Sequence, residues 1–167
     1  MKQGSLSVLS PSSVGRTLRH LIYANPLYRL TLRGRTPDTL RIRPPSYRFG
    51  DPEIGRAILE GTFTLSHHRR QLDEDPWAAP LESQLQSADL HGFSWLADLF
   101  AAGSEEARRR AGRLLLGWVE KNSKWQELPW RADVLGERLG AWLAFYDFLA
   151  LEQEQTKAVL LEMAMVQ

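Results

Sequence analysis

The chain has 167 residues, of which 43% are hydrophobic, contains no cysteine and carries a formal net charge of +1 at pH 7. The absence of cysteine excludes disulfide bonds, thiolate metal sites and cysteine nucleophiles. The apolar share allows one domain, or part of a larger one, to bury a core. No apolar run approaches the ~18 residues of a membrane span, and the N-terminus lacks the apolar run of a signal peptide. We therefore expect a cytoplasmic chain without a membrane span.

The charges are distributed unevenly along the chain. Residues 1–48 contain nine Lys or Arg and one acidic residue, whereas the remainder contains 12 basic and 19 acidic residues. Two interpretations remain open. Either the basic segment docks on the acidic remainder, or it binds an anionic partner such as an acidic polysaccharide, a nucleic acid or a lipid headgroup.

The first 81 residues are predicted to form a basic N-terminal arm with short helices and strands. A helix should begin after Ser13, because serine is a good N-cap, and should end at Pro26, because proline has no N–H to donate. Its apolar stripe recurs at helical spacing and consists of Val14, Leu18, Leu21 and Ile22. Residues 27–32 can form a second short helical stretch.

A proline-rich segment over residues 36–52 is predicted to be extended, with an edge strand around residues 40–43. Asp51 is followed by proline, which combines an N-cap with a residue suited to the first helical position. This pair predicts a short helix over residues 52–59. Residues 62–65 are rich in β-branched and aromatic side chains, so they predict a short strand.

Residues 82–167 contain four predicted amphipathic helices joined by short connections, which favours antiparallel neighbours. Gly103 should close the first helix, Ser104 should cap the second, and Asp133 should cap the third. The fourth should begin near Glu152. The apolar stripes consist of Leu90, Phe93, Leu96 and Phe100 in the first, Ala107, Ala111, Leu114, Leu115 and Trp118 in the second, Leu135, Leu139, Trp142, Leu143 and Tyr146 in the third, and Ala158, Leu161 and Met165 in the fourth.

Six short segments, most of them containing tryptophan, follow one another along the chain. They are Phe63-Thr64-Leu65, Pro76-Trp77, Leu90-His91-Gly92-Phe93-Ser94-Trp95-Leu96, Gly117-Trp118-Val119, Trp125-Gln126-Glu127-Leu128-Pro129-Trp130-Arg131 and Glu137-Arg138-Leu139-Gly140-Ala141-Trp142. Their order resembles the N-terminal region of heparinase II/III-like polysaccharide lyases. The resemblance implies a mainly α fold: the opening helices of an incomplete (α/α) toroid, preceded by an irregular basic N-terminal segment with one or two short strands.

The resemblance also implies a reaction, β-elimination on uronate-containing acidic polysaccharides. Lyases of this kind are several hundred residues long, and their Tyr and His proton-transfer groups lie on later helices and in a β-sandwich. We therefore expect an N-terminal fragment or truncated member of the family, with no catalytic residue of its own and low activity alone. Whether the chain is itself an enzyme stays open.

Candidate substrate-binding residues follow from the same resemblance. Arginine can hold a carboxylate through two hydrogen bonds, and a Trp ring can stack on the C–H face of a sugar. Each candidate has a structural alternative, in which the arginine pairs with a nearby acid and the histidine or aromatic ring packs in the core. The candidates are Trp130, Arg131, Arg138, Trp142, His91 and Tyr146.

No spacing of ligands in the sequence predicts a metal site, and no motif predicts a cofactor. His67 and His68 are adjacent, so on a strand they would point to opposite faces and chelate poorly. We expect them in a solvated turn.

Acidic polysaccharide is the partner that the resemblance implies. Nucleic acid is disfavoured, because the basic arm lacks regularly spaced exposed aromatic residues and its helix is broken by proline. An open helical array would leave apolar faces uncovered, which predicts self-association or association with the missing remainder of the toroid. The alternative function is a non-enzymatic helical interaction module with an anion-binding basic arm.

Overall fold

The computed structural model describes residues 44–46, 48–72, 75–150 and 160–161. The helical stretches predicted between residues 14 and 32, the edge strand around 40–43 and most of the fourth helix lie outside these residues. Leu160 and Leu161, which belong to that fourth helix, are helical and buried.

The first helix, α1 (Pro52–Leu59), begins where the sequence predicts it. The Asp51 carboxylate accepts a hydrogen bond from the backbone N–H of Glu53 at 2.8 Å. This bond satisfies one of the N–H groups that the start of a helix leaves without a partner in the helix. Proline at the first position has no N–H to satisfy, so the local sequence is sufficient to start α1.

A two-stranded antiparallel hairpin follows α1. Its strands are β1 (Thr62–Leu65) and β2 (His68–Gln71), with Leu65 opposite His68. The strand predicted over residues 62–65 is confirmed, whereas the sequence does not predict β2. Ser66 and His67 form the turn with φ angles of 48° and 66°, the left-handed values that a two-residue hairpin turn requires.

The regular elements that follow the hairpin are helices, preceded by a short 3-10 turn at Pro76–Ala78. Ser104 caps the longest helix as predicted, since its hydroxyl accepts a hydrogen bond from the Ala107 N–H at 3.0 Å. The helices are α2 (Gln84–His91), α3 (Leu96–Ala102), α4 (Glu105–Asn122), α5 (Ala132–Ala144) and α6 (Tyr146–Ala150).

Two predicted helix boundaries are wrong. The first predicted helix ends at Gly103 as expected, but it is divided into α2 and α3, because Phe93 adopts a left-handed φ of 59° between them. The ring of Phe93 stays buried, so the apolar periodicity continues across the break and hides it. The N-cap of α5 is Arg131 rather than Asp133, and the chain turns again at Phe145 before α6 begins.

Helix α1 packs very closely against α3. A Cβ atom at Gly55 would lie 2.1 Å from the carbonyl oxygen of Asp98, and one at Gly50 would lie 1.9 Å from that of Ala97. Only glycine allows this approach of the two backbones. The contact joins residues on both sides of the predicted boundary between 1–81 and 82–167, and the division into two domains stays a prediction.

Aromatic rings fill the centre of the molecule. Trp95, Trp118 and Trp142 are each at most 2% exposed. The Phe93 ring lies 4.9, 6.1 and 5.3 Å from these three rings.

The mainly helical fold with a small sheet is confirmed, and the described residues contain six helices. The predicted toroid is not shown. Across the described ranges, no helix has both the length and the apolar character needed to cross a membrane.

Candidate functional site

Arg138, one of the predicted substrate-binding residues, is a core residue with no exposed surface. Its Nη1 donates hydrogen bonds to the carbonyl oxygens of Pro129 at 2.7 Å and His91 at 3.2 Å. Its guanidinium carbon lies 4.2 Å from the centre of the Trp118 ring and 5.6 Å from that of Trp142. Burial lowers the pKa of Arg138 to about 9. The carbonyl dipoles and the two ring faces therefore take over the stabilisation that water gives to an exposed cation.

His91 is a second core-facing residue of the predicted set, partly buried beside Arg138. Its Nδ1 accepts a hydrogen bond from the indole Nε1 of Trp118 at 3.0 Å. Burial, with a smaller contribution from the charge of Arg138, lowers the pKa of His91 to about 4. The imidazole is therefore neutral near pH 7, and its acceptor nitrogen is engaged inside the protein. This geometry favours the structural role over a role in a cleft.

The aromatic residues of the predicted set are buried or hydrogen-bonded within the protein. Trp142 and Tyr146 are 1% and 6% exposed, so neither ring offers a face to a sugar. Trp130 is partly buried, and its Nε1 donates to the carbonyl oxygen of Asn122 at 3.0 Å. These contacts explain the high tryptophan content of the chain by core packing.

Arg131 is the exposed member of the predicted set. It forms a two-point ion pair with Asp133, with Nε to Oδ1 at 2.7 Å and Nη2 to Oδ2 at 2.8 Å. The hydrogen bonds from Arg131 lower the pKa of the Asp133 carboxyl to about 2. Arg138 and Trp142 point into the core while Arg131 lies at the surface, so the six candidates do not form one binding surface.

A groove of about 760 Å³ runs along α5. Helix α2 and the turn that follows it form one wall and α5 forms the other, while Pro44, Pro45, Ser46 and Arg48 also line the groove. The walls are built largely from small side chains: Ala88, Gly92, Ser94, Ala97, Ala132, Gly136, Gly140, Ala141 and Ala144. Of the six predicted site residues, Arg131 alone lines this groove.

The rim of the groove is charged. Arg48 pairs with Glu137 across it, with Nη2 to Oε2 at 2.9 Å. Asp89, on the α2 side, accepts hydrogen bonds from the backbone N–H and the hydroxyl of Ser66 at 2.6 and 2.9 Å. Together with the Arg131–Asp133 pair, these contacts place three carboxylates and two guanidinium groups around a largely apolar floor.

Two glycines of α5 form part of this floor. A Cβ atom at Gly136 or Gly140 would have no other atom within 4 Å, apart from its immediate helix surroundings. Glycine destabilises the interior of a helix relative to alanine. Unlike Gly50 and Gly55, these two are not required by any close packing in the described part of the chain. Because these two residues have no side chain, another segment could approach the α5 backbone closely at their positions.

A metal centre is not assembled in the described ranges, where no three His, Asp or Glu side chains are gathered to hold an ion. His67 and His68 are exposed; the first lies in the hairpin turn and the second begins β2. The Nδ1 of His68 lies 2.8 Å from the carbonyl oxygen of Ser66. The arrangement that the described residues do form is an apolar groove with a charged rim, which is suited to binding a helix or an extended peptide.

The groove is not predicted from the sequence, because the predicted helix faces rest on the spacing of large apolar residues and the groove is lined largely by small ones. The signal that could have revealed it is the spacing of Gly136, Gly140 and Ala144, which places three small residues on one face of a helix.

No protein-family model matches the sequence, and no solved structure is similar to it. The chain is similar to FtsZ-localized protein C of Caulobacter vibrioides (strain NA1000 / CB15N), with 36% identity over 114 residues. The similar region covers 67% of this chain and 20% of that protein, so the chain spans about a fifth of its relative's length.

This similarity overturns the interpretation drawn from the tryptophan-containing segments. The sequence order resembles heparinase II/III-like lyases, but the named relative is an FtsZ-localized protein and not a polysaccharide lyase. The predicted lyase function is therefore wrong, and an acidic polysaccharide partner is not supported. The alternative, an anion-binding helical module, fits the relative no better. The physical reason for the error is that Trp95, Trp118, Arg138 and Trp142, which carry much of the resemblance, form a packed core here, a role that many helical folds share. The relationship that stands is with part of an FtsZ-localized protein of a bacterium.

Proposed function

We propose that this chain is a segment of a bacterial cell-division protein that gathers where FtsZ gathers and acts there through contacts with other proteins. The observation that carries the proposal is the 36% identity to an FtsZ-localized protein over 67% of the chain. A cytoplasmic location is part of the same proposal.

The surface of the described body supports a binding role. Phe49 is fully exposed, and Leu85 and Phe100 are 68% and 52% exposed. Exposed aromatic and aliphatic side chains on a rigid body are the usual anchors of protein–protein contacts.

Fluorescence microscopy tests this proposal directly. The full chain is fused to a fluorescent protein and expressed in Caulobacter vibrioides together with FtsZ labelled in a second colour. We expect a band that coincides with FtsZ and disperses when FtsZ is depleted. The fluorescent protein alone is the first control, and an Arg138→Ala fusion, in which the core is disrupted, is the second. Diffuse fluorescence of a stable, full-length fusion in cells with an intact FtsZ band would reject the proposal.

A further inference from the structure

The groove along α5 has the shape of a receptor for a helix. Its floor presents Gly136, Gly140 and Ala144 at intervals of four residues, so a second helix could lie close to the α5 backbone. Leu85 stands at the edge with 68% of its surface exposed, although it lines the groove. A helix placed in the groove would cover that side chain.

We propose that residues 14–25 of this same chain dock in the groove as an amphipathic helix. The inference holds whether or not the chain gathers with FtsZ, because it rests on the groove and on the N-terminal sequence alone. It identifies an intramolecular partner for the basic arm.

The path of the chain supports this occupant. Pro44 and Pro45 line the groove, so the N-terminal arm joins the described body beside the groove. Eighteen residues separate residue 25 from Pro44, and a connection of that length spans up to ~60 Å when extended. A tether this short gives the segment an effective concentration on the order of millimolar at the groove. A separate protein partner would have to compete with that local concentration.

The dimensions also agree. Residues 14–25 would form a helix ~18 Å long at 1.5 Å per residue. The 13 residues of α5 correspond to ~20 Å at the same rise. The segment is therefore long enough to follow nearly the whole of α5.

The side chains of the two surfaces are complementary in size. The segment carries large apolar residues on one face, and the groove offers small ones, which is the pairing that lets helices interdigitate. The apolar face of the segment consists of Val14, Leu18, Leu21 and Ile22.

The charges favour the same pairing. The segment contains Arg16 and Arg19 and no acidic residue. The groove rim carries exposed carboxylates at Asp133 and Glu137, each already paired with one arginine, and a carboxylate can accept from more than one donor. Residues after 48 contain 19 acidic and 12 basic residues, so the body as a whole attracts the arm.

Cysteine crosslinking in the full chain tests the proposal, because the natural sequence has no cysteine to interfere. Leu18→Cys is combined either with Gly140→Cys in the groove or with Gly112→Cys on α4, which contributes no residue to the groove. The two glycines are matched, since a Cβ at either has no neighbouring atom within 4 Å. A short bis-maleimide is added, and the monomeric crosslinked species is followed by denaturing gel and mass spectrometry.

We expect crosslinking to Gly140→Cys to be at least about ten-fold faster than to Gly112→Cys, because docking holds residue 18 beside the groove, whereas the tether alone gives both pairs a similar local concentration. Filling the groove with Gly136→Leu should reduce the fast reaction to the rate of the control. Circular dichroism of each variant checks that the helical body is intact. Equal rates for the two pairs would overturn the proposal. A fast reaction that yields only dimer-sized products would also overturn it, and would assign the groove to a second copy of the chain.

Discussion

The position of Arg138 shows how one residue can serve the core of a helical protein while resembling a binding group in the sequence. Its Nη1 links the carbonyl oxygens of Pro129 and His91, and its charged plane lies against the ring of Trp118. The Arg138–Trp142 spacing is visible in the sequence, but the direction in which that face of α5 points depends on contacts between distant residues. The sequence therefore shows that Arg138 and Trp142 lie on one face of a helix, but it does not show whether that face is buried or exposed.

Replacement of Arg138 should destabilise the fold strongly. Arg138→Ala leaves a cavity beside Trp118 and removes the donor for two buried carbonyl groups, so we expect a loss of about 3 kcal/mol in the free energy of unfolding. Arg138→Lys should recover part of it, because an ammonium group keeps the charge but not the planar fork. Urea denaturation followed by circular dichroism gives these values. Arg131→Ala, at the surface, is the control and should leave the stability nearly unchanged; a similar loss in both variants would contradict the structural role of Arg138.

His91 should make stability depend on pH. Its pKa is about 4 in the folded chain, below the ordinary value of 6.5, so the unfolded chain binds more protons between these values. The contribution of His91 is fully present above pH 6.5 and is lost as pH falls towards 4.

The variant His91→Asn isolates this effect, because its amide oxygen can still accept from Trp118 Nε1 and does not titrate. We expect the unfolding free energy of the natural chain to fall relative to the variant by about 3 kcal/mol between pH 7 and pH 4. Parallel pH profiles for the two proteins would show that His91 is not the group responsible.

At the scale of elements, the predictions from sequence succeed where local chemistry is sufficient. Asp51 and Ser104 cap α1 and α4 as expected, because a cap is made by a side chain and backbone a few residues apart. The break between α2 and α3 is missed because Phe93 enters a left-handed conformation that only the surrounding aromatic cluster stabilises. Strand β2 is missed because its four residues are polar and depend on pairing with β1.

The glycines of α1 and α4 should respond in opposite ways to the same substitution. Gly55→Ala places a Cβ 2.1 Å from a backbone oxygen of α3, so the two helices must separate and we expect a loss of more than about 2 kcal/mol. Gly112→Ala meets no neighbour, lies outside the groove and improves helix propensity, so we expect a gain of about 0.5–1 kcal/mol. Thermal and urea unfolding of both variants measure the difference, and a stabilising Gly55→Ala would show that α1 does not pack on α3 as described.

At the scale of the whole molecule, the core joins regions that the sequence separates into an arm and a helical domain. Phe63 of β1 packs edge-on against Trp95 at 5.7 Å, and Trp77 donates a hydrogen bond to the Leu114 carbonyl of α4 at 3.1 Å. The apolar periodicity correctly predicts a mainly helical body, and the composition correctly predicts enough apolar residues for a core. Its function is not accessible in the same way, because a core rich in tryptophan and arginine is compatible with unrelated activities.

The shared core predicts a single cooperative unfolding transition. Tryptophan fluorescence reports on the aromatic centre and far-ultraviolet circular dichroism reports on the helices, so both should give the same midpoint in urea. Comparison of the Trp77→Phe and Trp130→Phe variants with the natural chain gives the fluorescence change of one tryptophan on each side of residue 81. Two separated transitions would support the division into residues 1–81 and 82–167 as independent units.

The attachment of residues 48–51 to the body has a mechanical consequence. Arg48 pairs with Glu137, the Asp51 N–H donates to Asp98 at 2.8 Å, and the backbone at Gly50 lies directly on α3. A pulling force applied to the N-terminal arm would reach these contacts before it reached α1. Tension would therefore act as a shear load on the contacts that residues 48–51 make with α3 and α5. The body would resist as one unit until those contacts broke.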